Sequence, residues 1–317
     1  MITISRAPAW LVVQDLGWQG HRAVGMPVGG AMDRHALAAA NLLAGNRPEA
    51  AGLEWALGGG TIRFEEPTAF ALGGASVEAT LGGRPVAMYT AYRADARDEL
   101  VVNRQQAGVF TYVAVQGGVH VEPVLGSRST YVMGGFGGLH GRRMRAEDFL
   151  PLGTPQGAPP PEGFMAPPEL VSSAEGRPIR TTPGPQAGRF PIAETDRFFS
   201  EEWLVAAASD RMGYRLKGPP IASEAGGTLA SEPACPGAVQ VPAEGGPIVL
   251  MADGPTVGGY PKLAIVCGAD LGRLAQCQPG RSVQFCSVSI GEGQRLYRRR
   301  AVQLHTLASL ISGAPGS

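Results

Sequence analysis

Ser76-Val77-Glu78-Ala79-Thr80-Leu81-Gly82-Gly83-Arg84-Pro85-Val86-Ala87-Met88-Tyr89 is the stretch that decides the fold class. It reads as one strand, a two-residue glycine turn and a return strand, because glycine accepts the positive φ that a tight hairpin needs. Working outward, Thr61–Phe64 and Ala69–Leu72 are further candidate strands, and Val109–Val121 alternates as a long one broken by Gly117-Gly118. The chain holds 46 glycines and 27 prolines without a repeat, which marks turn-rich β structure. Three helices are expected. Ala31–Gly45 carries Leu37, Ala40, Leu43 and Ala44 on one face, with Asp33 near its start and Gly45 as its stop. The others cover Ala269–Gln276 and Gln294–Ile311. The predicted class is mainly β with few helices.

The 317 residues suit two domains of roughly 150 residues each. Prolines 151, 155, 159, 160, 161, 167 and 168 make residues 151–178 a semi-rigid connector. The expected domains are therefore 1–150 and 179–317, the second ending in the C-terminal helix. Formal net charge is +0, so no basic stripe points to nucleic acid. The cluster Arg298-Arg299-Arg300 with Arg295 is open between a solvated helix face and an anion patch. No apolar run approaches the ~18 residues of a membrane span. Met1–Arg6 has no leader pattern, and a cytoplasmic protein is expected. Cys235, Cys267, Cys277 and Cys286 form no CxxC pair and read as reduced core residues; no metal site is expected.

Only Lys217 and Lys262 are lysines among 27 basic residues. An ammonium is a compact charge with a tunable pKa, which guanidinium is not. Lys262 closes the run Met251-Ala252-Asp253-Gly254-Pro255-Thr256-Val257-Gly258-Gly259-Tyr260-Pro261-Lys262. The apolar runs around Val239 and Ile248–Met251 should pair, placing Glu232, Gln240, Asp253 and Lys262 at strand ends or loops, where sites gather. One ammonium, one amide and a carboxylate can bind a small amide-bearing acid. Lys262 would hold charge, and Asp253 or Glu232 would relay a proton. Lys217 reads as a surface residue.

Three other motifs stay open. In Gln14-Asp15-Leu16-Gly17 to Asp33, Gln14 and Asp15 fit a turn or a pocket wall, and Asp33 fits a ligand contact or a helix cap. In Gly126-Ser127-Arg128-Ser129-Thr130 and Gly134–Arg142, backbone amides with Arg128 or Arg142 can cradle an anion, or the glycines simply make tight turns. In Ser209-Asp210-Arg211-Met212-Gly213, Arg211 is an anion clamp or half of a turn salt bridge. No P-loop, GxSxG elbow, HExxH, amidase Ser-Ser-Lys pattern or biotin-attachment sequence occurs.

Taken in order, these motifs with Ala40-Asn41-Leu42-Leu43, Gly45-Asn46, Pro183-Gly184-Pro185-Gln186 and Gly258-Gly259-Tyr260-Pro261-Lys262 resemble one family. It includes the C-type subunits of 5-oxoprolinase, the KipI-antagonist proteins and a carboxyltransferase-type module of urea carboxylase. It is often labelled allophanate hydrolase subunit 2. The resemblance covers roughly residues 1–290. It implies tandem cyclophilin-like β-barrel domains, a B-type (KipI-like) protein and an A-type lactam-utilisation protein as partners, and ATP bound somewhere in the complex. The implied reaction is ATP-dependent opening of 5-oxoproline to glutamate. Lys262, Asp253 and Glu232 become catalytic candidates, and Gln240, Tyr260, Arg211, Arg128, Gln14 and Asp33 substrate-binding ones. Two alternatives are biotin-dependent carboxyl transfer to urea or another amide, with the carrier on another chain, and a non-catalytic antagonist of a KipI-like kinase inhibitor. The chain departs from the pattern at Trp18, where the family reads Arg. It departs again at Gly254, Pro255 and Val257, which thin a polar wall of the implied site.

Overall fold

Gly82 and Gly83 take φ of 54° and 83°, so the hairpin forms where the sequence places it. The strand before it is much longer than expected. The computed structural model, which describes residues 1–171, 176–224 and 228–314, runs 69–72 and 76–81 together as one strand. Gly73 and Gly74 pair in register with Tyr112 and Thr111, and the register shifts beyond Gly74, as at β-bulges. The return strand is shorter than 84–89: it covers Arg84–Pro85, with one further ladder bond from Val86 N to Ala79 O.

The chain divides into two units. The first comprises Met1–Trp18, Gly29–Ser172 and Ala301–Ser317. Its strands are β1 (Ile2–Arg6), β2 (Trp10–Gln14), β3 (Gly52–Ala56), β4 (Gly60–Phe64), β5 (Thr68–Leu81), β6 (Arg84–Pro85), β7 (Ala91–Ala94) and β8 (Glu99–Val115), then the two-residue β9 (Thr130–Tyr131), β10 (Phe136–Gly137) and β11 (Phe149–Leu150). The 17-residue β8 is the spine. One edge pairs with β5 along its length, and the other pairs with β4 and then β3, which carry β1 and β2 outward. This half-barrel encloses Ile4, Leu53, Trp55, Ile62, Phe64, Phe70, Leu100 and Val113. Helix α1 (Arg34–Leu43) packs on it through small residues: a Cβ on Gly73 would lie 2.6 Å from Ala36 O. The helix ends at Gly45, φ 76°, a left-handed terminator.

The proline-rich segment is not a connector up to Val171. Prolines lack donors but keep carbonyls, and the segment uses them: His120 N donates to Pro151 O and Ala91 N to Phe164 O. Ala166 N donates back to Tyr89 O, and α2 (Pro168–Val171) closes the segment. Residues 172–175 of the expected connector lie outside the described residues.

The second unit is Gln19–Val28 with Ser173–Arg300. It contains β12 (Ile179–Pro183), α3 (Ile192–Ser200), β13 (Trp203–Val205), β14 (Gly213–Lys217), β15 (Glu232–Pro233), β16 (Ala238–Gln240), β17 (Ile248–Leu250), β18 (Val257–Gly258), β19 (Lys262–Val266), α4 (Gly268–Ala275), β20 (Ser282–Val283) and β21 (Phe285–Ser287). Eight strands pair in the order β20-β13-β14-β17-β16-β19-β12-β21. The two edge strands are separated in sequence by Gln284 alone, so the sheet curls until its edges meet as a nearly closed barrel. Phe198 of α3 stacks on Phe285 at 4.8 Å over this core. The last helix, α5 (Ile290–Ser312), divides between the units at Arg300, and its Leu307 and Ile311 join Leu43 and Val171 in the first unit. The expected domain limits therefore move at both ends. No helix among the described residues is long and apolar enough to cross a membrane.

Candidate functional site

The second unit folds Lys262 inward. It opens β19 directly after Pro261, and its side chain is 2% exposed. Its cross-strand partner on β16 is Gln240, 4% exposed, and directly opposed residues share a face. A second, two-stranded ribbon brings up the acid: β15 pairs with β18 so that Glu232 faces Gly258. Gly258 borders Gln240, since a Cβ built on it would lie 2.6 Å from Gln240 Nε2. The circuit closes where Lys262 Nζ donates to Glu232 Oε1. Four residues from four strands are thus linked, and of these Glu232 meets the Lys262 ammonium.

Gln186, to which its motif alone assigns no role, fixes the arrangement. Gln186 Nε2 donates to Glu232 Oε1 at 2.7 Å, and Gln186 Oε1 accepts from Lys262 N at 3.1 Å. Its turn lies flat on β19: Gly184 N donates to Leu263 O, and a Cβ on Gly184 would fall 2.1 Å from Lys262 O. Only glycine permits that approach. The hydrogen bond from Lys262 holds the Glu232 carboxyl below its ordinary value of 4.5, helped by Lys262's charge, Gln186 and the charge of Arg189 against partial desolvation. The pairing is therefore fully present above pH 4.5 and is lost as pH falls through the lower folded value. Gln186→Leu removes both hydrogen bonds. The expected result is a loss of about 1–2 kcal/mol in urea unfolding and an upward shift of the Glu232 carboxyl titration, followed by carbon-13 NMR. Unchanged values in both would show that Gln186 holds neither group.

Asp253 is paired with Arg211. Its carboxylate takes a two-pronged contact from Arg211, Nε to Oδ2 and Nη2 to Oδ1, both 2.8 Å, with each side chain 6% exposed. Of the two readings of Arg211, the geometry supplies a salt bridge, made with Asp253 rather than within the turn. Asp210 instead accepts from Met212 N and Gly213 N as a turn residue. Tyr260 is 40% exposed in the loop before Lys262.

The remaining candidates lie in the first unit. Asp33 accepts from Ala36 N and caps α1. Asp15 is a hub: Oδ1 accepts from Gly17 N, Ser127 Oγ and Ser129 Oγ, and Oδ2 from Arg128 N, all at 2.6–2.7 Å. That hub shapes the Gly126–Thr130 loop. Gln14 Nε2 donates to Thr130 O, while the buried Gln14 Oε1 and Arg128 Nε have no partner among the described residues. Trp18 is a packing residue, 1% exposed, against Phe136 at 5.6 Å and donating to Val124 O.

Arg142 pairs with Asp148 rather than standing free for an anion. The cysteines are all free; Cys267 is buried, whereas Cys235 is exposed rather than in the core. Burial pushes the Cys277 thiol up to about 11, which leaves it a poor nucleophile. No cluster of three or more His, Cys, Asp or Glu able to hold a metal occurs among the described residues.

Residues 24–287 match the family model "Carboxyltransferase domain, subdomain A and B". The chain belongs to that family. It is similar to the C subunit of 5-oxoprolinase from Escherichia coli strain K12, 39% identical over 314 residues, covering 96% of this chain and 99% of that protein. The corresponding 5-oxoprolinase protein of Haemophilus influenzae is 35% identical over 98% of this chain and 99% of its own length. Among solved structures, the K. lactis urea amidolyase superposes with a TM-score of 0.90 at 29% identity, over 96% of this chain and 20% of that much longer one.

Proposed function

We propose that the chain is the C-type subunit of a cytoplasmic 5-oxoprolinase complex, which opens 5-oxoproline to glutamate at the expense of ATP. A KipI-like protein of B type and a lactam-utilisation protein of A type complete it. The observation that carries the reading is the end-to-end likeness to two proteins named as the C member of 5-oxoprolinase, 39% and 35% identical. The buried Lys262 in its polar circuit supplies the chemistry. In that reaction one water adds to the lactam carbonyl carbon and the ring C–N bond breaks, while ATP and a second water become ADP and phosphate. An amide is a poor electrophile, so its oxygen must be activated, and a fixed cation with a neighbouring amide donor stabilises charge that develops there. Lys262 takes that role, Glu232 orients it and exchanges protons with solvent through its exposed side, and Gln240 and Tyr260 contact substrate. Asp253 and Arg211 support the loop, since each already satisfies the other.

The K. lactis likeness favours a second reading, carboxyl transfer to urea with biotin carried on another chain. One assay separates the two. The purified chain, alone and with its partner proteins, is tested for ATP hydrolysis dependent on 5-oxoproline or on urea with bicarbonate and a biotinylated carrier. The expected result is 5-oxoproline-dependent turnover by the complex alone. Turnover with urea only would replace the first reading by the second, and partner binding without turnover of either would overturn both.

A further inference from the structure

We infer that Gln240, Lys262 and Gly258 form a subsite for an acceptor oxygen, a carbonyl or carboxylate oxygen of a small cyclic amide acid. This rests on the 5-oxoprolinase reading for the choice of ligand. Donors outnumber acceptors at this point of the barrel. Lys262 carries three N–H bonds, and among the described residues its ammonium meets one acceptor, Glu232 Oε1. Gln240 Nε2 is buried and meets none. Two strongly polar donor groups therefore stand on directly paired positions of β16 and β19, and of the two only the Lys262 ammonium has an acceptor, Glu232 Oε1.

A buried donor left unpaired costs free energy, and an arriving oxygen recovers it. The unpaired buried group is a donor, so the subsite favours an arriving acceptor oxygen. Gly258 makes the space: a methyl group there would stand 2.6 Å from Gln240 Nε2, too close for both to stay. The terminal torsion of a glutamine is soft, so the amide can turn its NH2 from Gly258 towards a ligand without backbone movement. Gln186 keeps the Lys262 main chain and the Glu232 carboxylate in place meanwhile.

The test is binding to the full chain by calorimetry with three probes: 5-oxoproline, 2-pyrrolidinone (lactam oxygen, no carboxylate) and proline (carboxylate, no lactam oxygen). It is run on wild type, Gln240→Leu and Gly258→Ala, and the KM and kcat of the reconstituted complex are measured in parallel. The expected result is that 5-oxoproline binds the wild type, that Gln240→Leu weakens it about tenfold, the loss of one hydrogen bond to a polar ligand, and that Gly258→Ala, whose methyl group displaces only the soft end of Gln240, weakens it less. The same loss for 2-pyrrolidinone assigns the lactam oxygen to the subsite; the same loss for proline assigns the carboxylate. Equal binding by wild type and both variants overturns the subsite, as does no binding of any probe by the wild type. A complex that turns over 5-oxoproline with unchanged KM and kcat in Gln240→Leu removes the subsite and leaves the 5-oxoprolinase reading standing. A chain that binds the probes as expected, in a complex that never opens 5-oxoproline, does the reverse.

Discussion

Lys262→Met lowers 5-oxoproline turnover by the reconstituted complex by about two to three orders of magnitude, the scale on which loss of one preorganised charge-stabilising donor is felt. Methionine is the sharper choice over alanine. The lysine is 2% exposed, so its stem packs as an apolar chain, and methionine keeps most of that packing while deleting the charge. Glu232 survives the loss of its partner because its side chain is 36% exposed and water can solvate the carboxylate. Assembly with the partner proteins, read by size-exclusion chromatography, should be unchanged. Lys262→Arg retains the charge but carries a planar, bulkier head into a site shaped for a compact ammonium, so activity between the two is expected. Wild-type turnover in a well-assembled Lys262→Met complex would remove the lysine from the chemistry.

The composition of the chain already singles out Lys262, and turn residues already mark a mainly β chain with a hairpin at Gly82-Gly83. What stays hidden follows from length scale. Helix α3 is missed because it is only nine residues long, starts after Pro191 with Ile192 exposed, and buries Phe198 alone. The first half of β8 is missed because Glu99–Gly108 is largely polar and half-exposed, although its pairing with β4 and β5 is regular at Leu100 and Val102. Of the pairings around Lys262 only that of β16 with β17 crosses a short loop; Gln240 and Glu232 reach the lysine through β19 and the separate β15–β18 ribbon, which the sequence does not announce. Gln186 is not announced either, since its contacts bridge 46 and 76 residues of chain and depend on a turn lying flat on β19. Asp253 shows the converse. It is nine residues from Lys262 in sequence, yet the backbone after β17 hands its carboxylate to Arg211, an anchor that no spacing rule announces.

The largest loss of stability is expected at Asp270, which belongs to none of the motifs. Asp270 is fully buried in the first turn of α4. It accepts from Arg180 N at 2.9 Å and Nε at 2.8 Å, from Arg180 Nη2 at 2.5 Å, and from Arg273 Nη1 at 3.0 Å. Arg273 reaches on to the carbonyls of Arg177 and Pro178, so one carboxylate ties α4 to the start of β12. Burial pushes the Asp270 carboxyl up, but the hydrogen bonds from Arg180 and the charge of Arg273 outweigh it and hold the group below its ordinary 3.8. Asp270→Ala leaves two guanidinium groups around a vacant acceptor, and the expected cost is about 3–5 kcal/mol at pH 7. A folded pKa below the unfolded one makes this contribution complete above pH 3.8 and removes it as pH falls through the lower folded value. The gap between wild type and variant in urea unfolding should therefore be wide at neutral pH and narrow steadily in acid, as the wild type loses the same carboxylate to protonation. A gap below about 1 kcal/mol at pH 7, the level of an exposed pair, would mean that the two arginines find solvent or other carbonyls without it. A gap that does not narrow in acid would trace the loss to packing at the head of α4 instead of to the charge.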